Sequence, residues 1–171
     1  EELLFLARSD AGTVEVSHAA YTEFDYSDSV LNCALLFEAV AFENKVILNN
    51  DIVPGIHVCG SETQMKQVVT ILLDNACKYA GLHGTVSVSL KSASHHAVLT
   101  VNNTGEPIPS SDQKHIFERF YRTDKSRVRK EGGYGLGLSI ARTIVEQHKG
   151  KITVSSSQEE GTTFTVVLPE L

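Results

Sequence analysis

The stretch TVSVSLKSASHHAVLTVNNTGEPIP, Thr85–Pro109, decides the fold. Val86, Val88 and Leu90 alternate with small polar residues, a period of two that predicts a strand with one buried face. The alternation resumes over His96–Val101 after the polar tract Ser92–His95, so the segment reads as a hairpin of two antiparallel strands. Its second strand runs into Asn102-Asn103-Thr104-Gly105-Glu106-Pro107-Ile108-Pro109. Polar side chains at a strand end, followed by a glycine turn, are a common place for a ligand. The same residues are also sound turn chemistry in their own right.

Upstream of the hairpin the period becomes helical. Ser61 is expected to open a helix that ends near Ala80 and is terminated by Gly81–Gly84, with Met65, Val68, Val69, Leu72, Ala76 and Tyr79 as its core stripe. Ile71, Asn75 and Lys78 line the border of that stripe. Asn75 there can offer a carboxamide oxygen to a hard cation, and Lys78 an ammonium to phosphates; from the helix alone a solvated Asn-Lys rim is the commoner reason for such a pair beside a buried face. Further back, Thr22–Tyr26 reads as a short strand. Ser27 or Asp28 caps a helix reaching about Lys45, with Val30, Ala34, Phe37 and Ala41 on one face. Val46–Asn50 and Ile56–Cys59 read as short strands around the turn Pro54-Gly55. The opening run EELLFLARSD reads as the last turns of a helix from a preceding unit, broken at Asp10-Ala11-Gly12.

Downstream, a long glycine- and proline-bearing tract extends from Asn102 to Gly137, interrupted by a helical turn or two around Gln113–Tyr121, and tracts of this length inside a compact domain are usually functional. Within residues 112–130, seven cations (Lys114, Arg119, Arg122, Lys125, Arg127, Arg129, Lys130) face three carboxylates, in a chain whose formal charge is -6. A polyphosphate partner explains that concentration better than solvation does. Gly132-Gly133-Tyr134-Gly135-Leu136-Gly137 opens a third helix, Leu138 to His148, whose free amides and positive end suit phosphate oxygens. The segment from about Arg122 to Tyr134, rich in charge and glycine, is expected to gain order when phosphate arrives, as a lid. Lys151–Ser155 and Thr162–Leu168 form a closing hairpin. No GxxxxGK[ST] loop is present, and the glycines follow a basic loop rather than a strand, which removes the dinucleotide-binding reading.

Composition bounds the rest. The chain has 171 residues, 42% hydrophobic and 21% charged, which suits one compact domain rather than a disordered or fibrous chain. The acidic balance opposes a general nucleic-acid or anionic-membrane surface. Cys33, Cys59 and Cys77 are odd in number with no CxxC pair, so a reducing, cytoplasmic setting is expected. The longest nearly apolar stretch, Cys33 to Phe42, is interrupted by Glu38 and too short to span a bilayer. The fold predicted is an α/β (α+β) two-layer sandwich: a mixed, mostly antiparallel sheet with three helices on one face and a mobile lid.

In this order and spacing, the pieces resemble the catalytic ATP-binding domain of sensor histidine kinases of two-component systems, within the gyrase, chaperone and histidine-kinase ATPase superfamily. QVVTILLDNACKYA (Gln67–Ala80) resembles that family's N box, VNNTGEPIP (Val101–Pro109) its first glycine box and IFERFYR (Ile116–Arg122) its phenylalanine box. GGYGLGLSIARTIVEQHKGKITVSS and GTTFTVVLP, between Gly132 and Pro169, resemble the second glycine box with its helix and the closing hairpin. The resemblance covers about residues 22–170. Residues 1–12 resemble the end of a preceding dimerisation helix, which leaves 13–171 as the catalytic domain.

The resemblance implies that Asn75 holds Mg²⁺ against the ATP phosphates, with Lys78 beside them and Tyr79 near the nucleotide. Asn103 stands where the family more often has an Asp that accepts from adenine's amine. An Asn oxygen still accepts, but its amide can also turn and donate. Gly105 admits the base, and Thr162 helps on the adenine side. Arg119 and Arg122 face phosphates, which the amides around Gly133, Gly135, Leu136 and Gly137 wrap. Ile71 replaces a first Asn of the N box, and Pro107 a second glycine. None of His18, His57, His83, His95, His96, His115 or His148 lies in a phosphoacceptor context, so the histidine to be phosphorylated belongs to a separate dimerisation domain. A response regulator aspartate is then the onward acceptor. The implied parent is a membrane-anchored homodimeric sensor, of which this is a soluble cytoplasmic piece. The competing readings are a catalytically degenerate nucleotide-sensing or scaffold domain, and a related ATPase whose N-box glutamate activates water where this chain has Ile71.

Overall fold

The structure is a computed structural model that describes residues 21–121 and 135–171. Along the chain run β1 (Thr22–Asp25), α1 (Tyr26–Glu43), β2 (Ile47–Ile52), β3 (His57–Gly60), α2 (Glu62–Tyr79), β4 (Thr85–Ala93) and β5 (His96–Asn103). They are followed by α3 (Ser110–Gln113), α4 (Gly137–Gln147), β6 (Lys151–Ser157) and β7 (Gly161–Pro169). The hairpin read from the period-two stretch is β4–β5, antiparallel, with Val88 opposite Val101 and Leu90 opposite Leu99. It is the centre of a five-stranded sheet ordered β2-β4-β5-β7-β6, in which only β2–β4 is parallel. The expected mixed, mostly antiparallel sheet is therefore present. The strand read upstream at Ile56–Cys59 lies elsewhere: β3 pairs with β1 in a separate two-stranded antiparallel sheet.

Alternation explains the layers. Val86, Val88 and Leu90 of β4, Ala97, Leu99 and Val101 of β5, and Phe164, Val166 and Leu168 of β7 are buried on one face. Against them lie Met65, Val68, Leu72 and Ala76 of α2 and Ile140, Ala141, Ile144 and Val145 of α4. Among the described residues there are three long helices, as expected, with the four-residue α3 in addition. The α1 cap is Asp25, whose carboxylate accepts from Asp28 N–H at 3.0 Å, so the helix begins two or three residues earlier than Ser27 or Asp28 would set it. On α2 the core stripe takes in Leu73 and Cys77, while Tyr79 is 37% exposed and is not a core residue. The helix ends here, before the glycine turn, and the ring lies outside the stripe that periodicity assigned to it.

One histidine does belong to the framework. His148, buried just beyond α4, holds its neutral form by two bonds: Nδ1–H donates to the Ile144 carbonyl at 2.7 Å, and Nε2 accepts from Ser61 N–H at 2.9 Å. It thereby ties the end of α4 to the start of α2, and a Cβ at Gly60 would lie 2.2 Å from its ring. Burial lowers its pKa from the ordinary value, opposed by the Ile144 carbonyl. The unfolded chain, with a His pKa near 6.5, then binds the proton more readily than the folded one, so this contribution is complete above about pH 6.5 and is lost as pH falls below it. His148→Gln is expected to lose about 2 kcal/mol at pH 7.5. In urea melts at successive pH values, its deficit against the parent chain should shrink from pH 6.5 to 5; a constant deficit would refute the buried neutral imidazole.

Candidate functional site

Two glycine-bearing segments converge on the same edge of α2. At one place Gly105, with φ +116°, passes so close to the end of α2 that an added Cβ would sit 2.1 Å from the Tyr79 carbonyl oxygen. Thr104 fastens this crossing, its hydroxyl donating to the Ala80 carbonyl at 2.9 Å and accepting from Thr85 N–H at 2.8 Å. At the other place Gly137, the first residue of α4, faces Ile71, whose Cγ2 would lie 3.4 Å from a Cβ built there. Ile71 and Tyr79 are eight residues apart on α2, about 12 Å along the axis. Asn75 lies midway on the same face.

Asn75 is half-buried, and its carboxamide makes no hydrogen bond to any described residue. The start of α4 is likewise open, because Leu136 at the N-cap supplies no side-chain bond and the first intrahelical donor is Ile140 N–H to the Leu136 carbonyl. Uncommitted amides at a helix's positive end therefore stand beside Ile71, one turn along α2 from an uncommitted carboxamide. Lys78 is less free: its ammonium is paired with Asp74 at 2.6 Å one turn back on α2. Asp74 was not among the sequence candidates, although its four-residue spacing from Lys78 was readable. The pair is exposed and holds Lys78 only weakly.

Below the edge, Asn103 and Thr162 face each other across β5 and β7 and are both buried, an unusual pair of polar residues on an otherwise apolar sheet face. The Asn103 amide is not free to turn. Its Nδ2 donates to the Thr104 carbonyl at 2.6 Å, and a flipped amide would set two carbonyl oxygens against each other. The arrangement leaves Oδ1 as the atom able to accept from a ligand. Gly161, with φ +73°, begins β7 within 2.3 Å of the Asn103 carbonyl by the same Cβ measure, so the strands approach more closely here than a side chain would permit.

The phenylalanine-box segment flanks this cleft. Ile116 is buried, Phe117 meets Phe164 edge-on at 6.2 Å, and Tyr121 donates to Asp112 at 3.0 Å. Arg119 is half-buried in the turns after α3. Phe120 N–H donates to the Gly135 carbonyl at 3.0 Å, which brings Tyr121 and Gly135, the two described ends of this tract, together. Gly135, Leu136 and Gly137 are thus beside the cleft. Arg122, Gly133, the cations from Lys125 to Lys130, the expected lid and the expected preceding helix at 1–12 lie outside the described residues. Among the described residues no cluster of three His, Cys, Asp or Glu side chains could hold a metal, the three cysteines are free, and no helix is long and apolar enough to cross a membrane.

The profile of the histidine kinase-, DNA gyrase B- and HSP90-like ATPase family matches residues 60–171, which include α2, both glycine segments and the sheet that carries Asn103 and Thr162. The sensor histidine kinase RppB of Synechocystis sp. is 39% identical over 144 residues, 84% of this chain and 32% of its own. The sensor protein CiaH of Streptococcus pneumoniae is 37% identical over 166 residues, 96% of this chain and 36% of its own. Among solved structures, the nucleotide-free catalytic domain of histidine kinase ThkA superposes with a TM-score of 0.77 at 28% identity, covering 88% of this chain and 95% of that one. ThkA in complex with the response regulator TrrA gives a TM-score of 0.74 at 25% identity, covering 99% of this chain and 49% of that one. The chain spans about a third of the length of these curated relatives.

Proposed function

The chain belongs to the histidine kinase-, DNA gyrase B- and HSP90-like ATPase family as a histidine kinase ATP-binding domain, and from that membership we propose that it binds Mg-ATP and donates the γ-phosphoryl group to a histidine on a separate dimerisation domain. Transfer onward to a response regulator aspartate follows, as the complex of ThkA with its response regulator TrrA suggests for this chain's own parent. The observation that carries the reading is the convergence of Gly105 and Gly137 on one face of α2, with the unbonded Asn75 between them.

The residues present fit a metal-bound nucleotide. No carboxylate-rich cage exists among the described residues, so Mg²⁺ would rest on the Asn75 oxygen and on the nucleotide's own phosphates, a ligation habit common for this ion. Bound there, the ion neutralises charge on the phosphate oxygens. The start of α4 supplies amides and the positive helix end to the same oxygens. Arg119, Arg122 and Gly133 are assigned to phosphates on the sequence resemblance. Asn103 and Thr162 hold the base edge, Gly105 leaves room for the ring, and the exposed Tyr79 lies at the open side. Ile71 has no proton to give or take, so no residue of α2 at that place activates water, which favours positioning and electrostatics for a nucleophile supplied from elsewhere.

The test is direct. Incubated with γ-labelled Mg-ATP, the chain alone should bind nucleotide and acquire no acid-labile label, whereas a dimerisation domain carrying its histidine should become labelled when mixed with it. Binding without any transfer would favour the nucleotide-sensing alternative. Label on the isolated chain would show that one of its own seven histidines is the acceptor.

A further inference from the structure

Resting on the nucleotide reading above, we propose that Ser156 is a positioning residue that sets the hydrogen-bond polarity at the nucleobase end of the cleft. Ile108 N–H donates to Ser156 Oγ at 2.9 Å, and Ser156 Oγ lies 2.6 Å from Thr162 Oγ1. Thr162 is 5% exposed and stands opposite Asn103, which is 3% exposed. Neither hydroxyl has another partner among the described residues. Gln113 of α3 secures the arrangement, since its Nε2 donates to the Ile108 carbonyl at 2.8 Å and to the Ser156 carbonyl at 3.1 Å. The loop after Gly105 is therefore clipped to β6 directly behind Thr162.

The direction of the Ser156–Thr162 bond follows from that clip. By accepting from Ile108, the Ser156 oxygen polarises its own O–H and becomes the better donor of the two hydroxyls. When Ser156 donates to Thr162, its own proton is satisfied and the Thr162 proton is left for the cleft. The reverse direction would leave the Ser156 proton without a partner behind the sheet. The first arrangement places an uncommitted donor, Thr162 O–H, beside an uncommitted acceptor, Asn103 Oδ1. Acceptor and donor side by side complement adenine, whose edge presents an amine and the N1 acceptor, directly or through one water. Guanine presents a carbonyl and N1–H, the opposite order. Ser156 thus reads the base without touching it.

Calorimetry with ATP, GTP and 1-deaza-ATP, each with Mg²⁺, tests this on the parent chain, Ser156→Ala and Ser156→Thr. The parent should prefer ATP over 1-deaza-ATP, which lacks the N1 acceptor. Ser156→Ala removes the incoming bond that orients and polarises the Thr162 hydroxyl, so it should narrow that ratio, by up to about tenfold, the worth of one oriented hydrogen bond, and Ser156→Thr should restore it. A folded Ser156→Ala protein that keeps the parent's ratio overturns the inference while leaving nucleotide binding intact, as does a parent that binds ATP no better than 1-deaza-ATP or GTP. A parent that binds no ATP overturns both readings. Should Ser156→Ala not fold, Ser156→Cys, similar in size but a poor donor, must show the narrowed ratio or the inference falls.

Discussion

Gly105→Ala should cost about 3 kcal/mol or more of stability, and any folded fraction should bind no nucleotide. Two effects add. A side chain at φ +116° is strained whatever surrounds it, and the new Cβ would meet the Tyr79 carbonyl oxygen at 2.1 Å, with Ala80 C at 3.1 Å. The obstacle is backbone at the end of a packed helix, which cannot swing aside as a flexible side chain would. Relief requires the loop to lift off α2, and that movement carries Thr104 away from Ala80 and Thr85 and frees the Asn103 amide. Gly55→Ala is the control: its φ of +76° imposes strain, but nothing lies within 4 Å of the added carbon, so about 1 kcal/mol is expected. Urea midpoints of the two variants separate the terms. Equal losses would mean that the close approach at Gly105 contributes nothing.

Asn75→Ala should leave stability within about 0.5 kcal/mol of the parent and reduce Mg²⁺-dependent ATP affinity about a hundredfold. The first half follows because its half-buried carboxamide bonds to no described residue, so its removal orphans no partner. The second follows because no cluster of acidic side chains among the described residues can take its place on a cation. Lys78→Ala should have a smaller effect on affinity, since its ammonium is already shared with Asp74 at 2.6 Å and a phosphate gains only what that pair gives up. Calorimetry with and without Mg²⁺ reads both. A folded Asn75→Ala chain with unchanged metal-dependent affinity would make Asn75 a rim residue after all.

Much of this was legible in one dimension because the forces that made it are local. Alternation over Thr85–Val101 predicted the β4–β5 hairpin, since a strand with one buried face must alternate. Ser61 predicted the start of α2, because a cap is chosen by its nearest neighbours. Helical periodicity failed at Tyr79, where the last turn of α2 meets the Gly105 loop and the ring is left outside the core.

The site divides along the same line. Asn75, Asn103, Gly105 and Gly137 could be chosen from sequence because each belongs to a motif with its own spacing. Sequence alone therefore determined the layer architecture, the order of the elements and the residue types available for phosphate and base. Tertiary structure decided which of them meet. It brings two glycine segments onto one helix face, commits Lys78 to Asp74 and fixes the Asn103 amide against Thr104. Gln113 lay outside every motif and Ser156 closed one without a role of its own, because their contacts join α3 and β6 to Ile108 across 5 and 48 residues of chain, respectively. Hydrogen-bond direction at a buried hydroxyl depends on every neighbour at once, and only the folded chain assembles those neighbours.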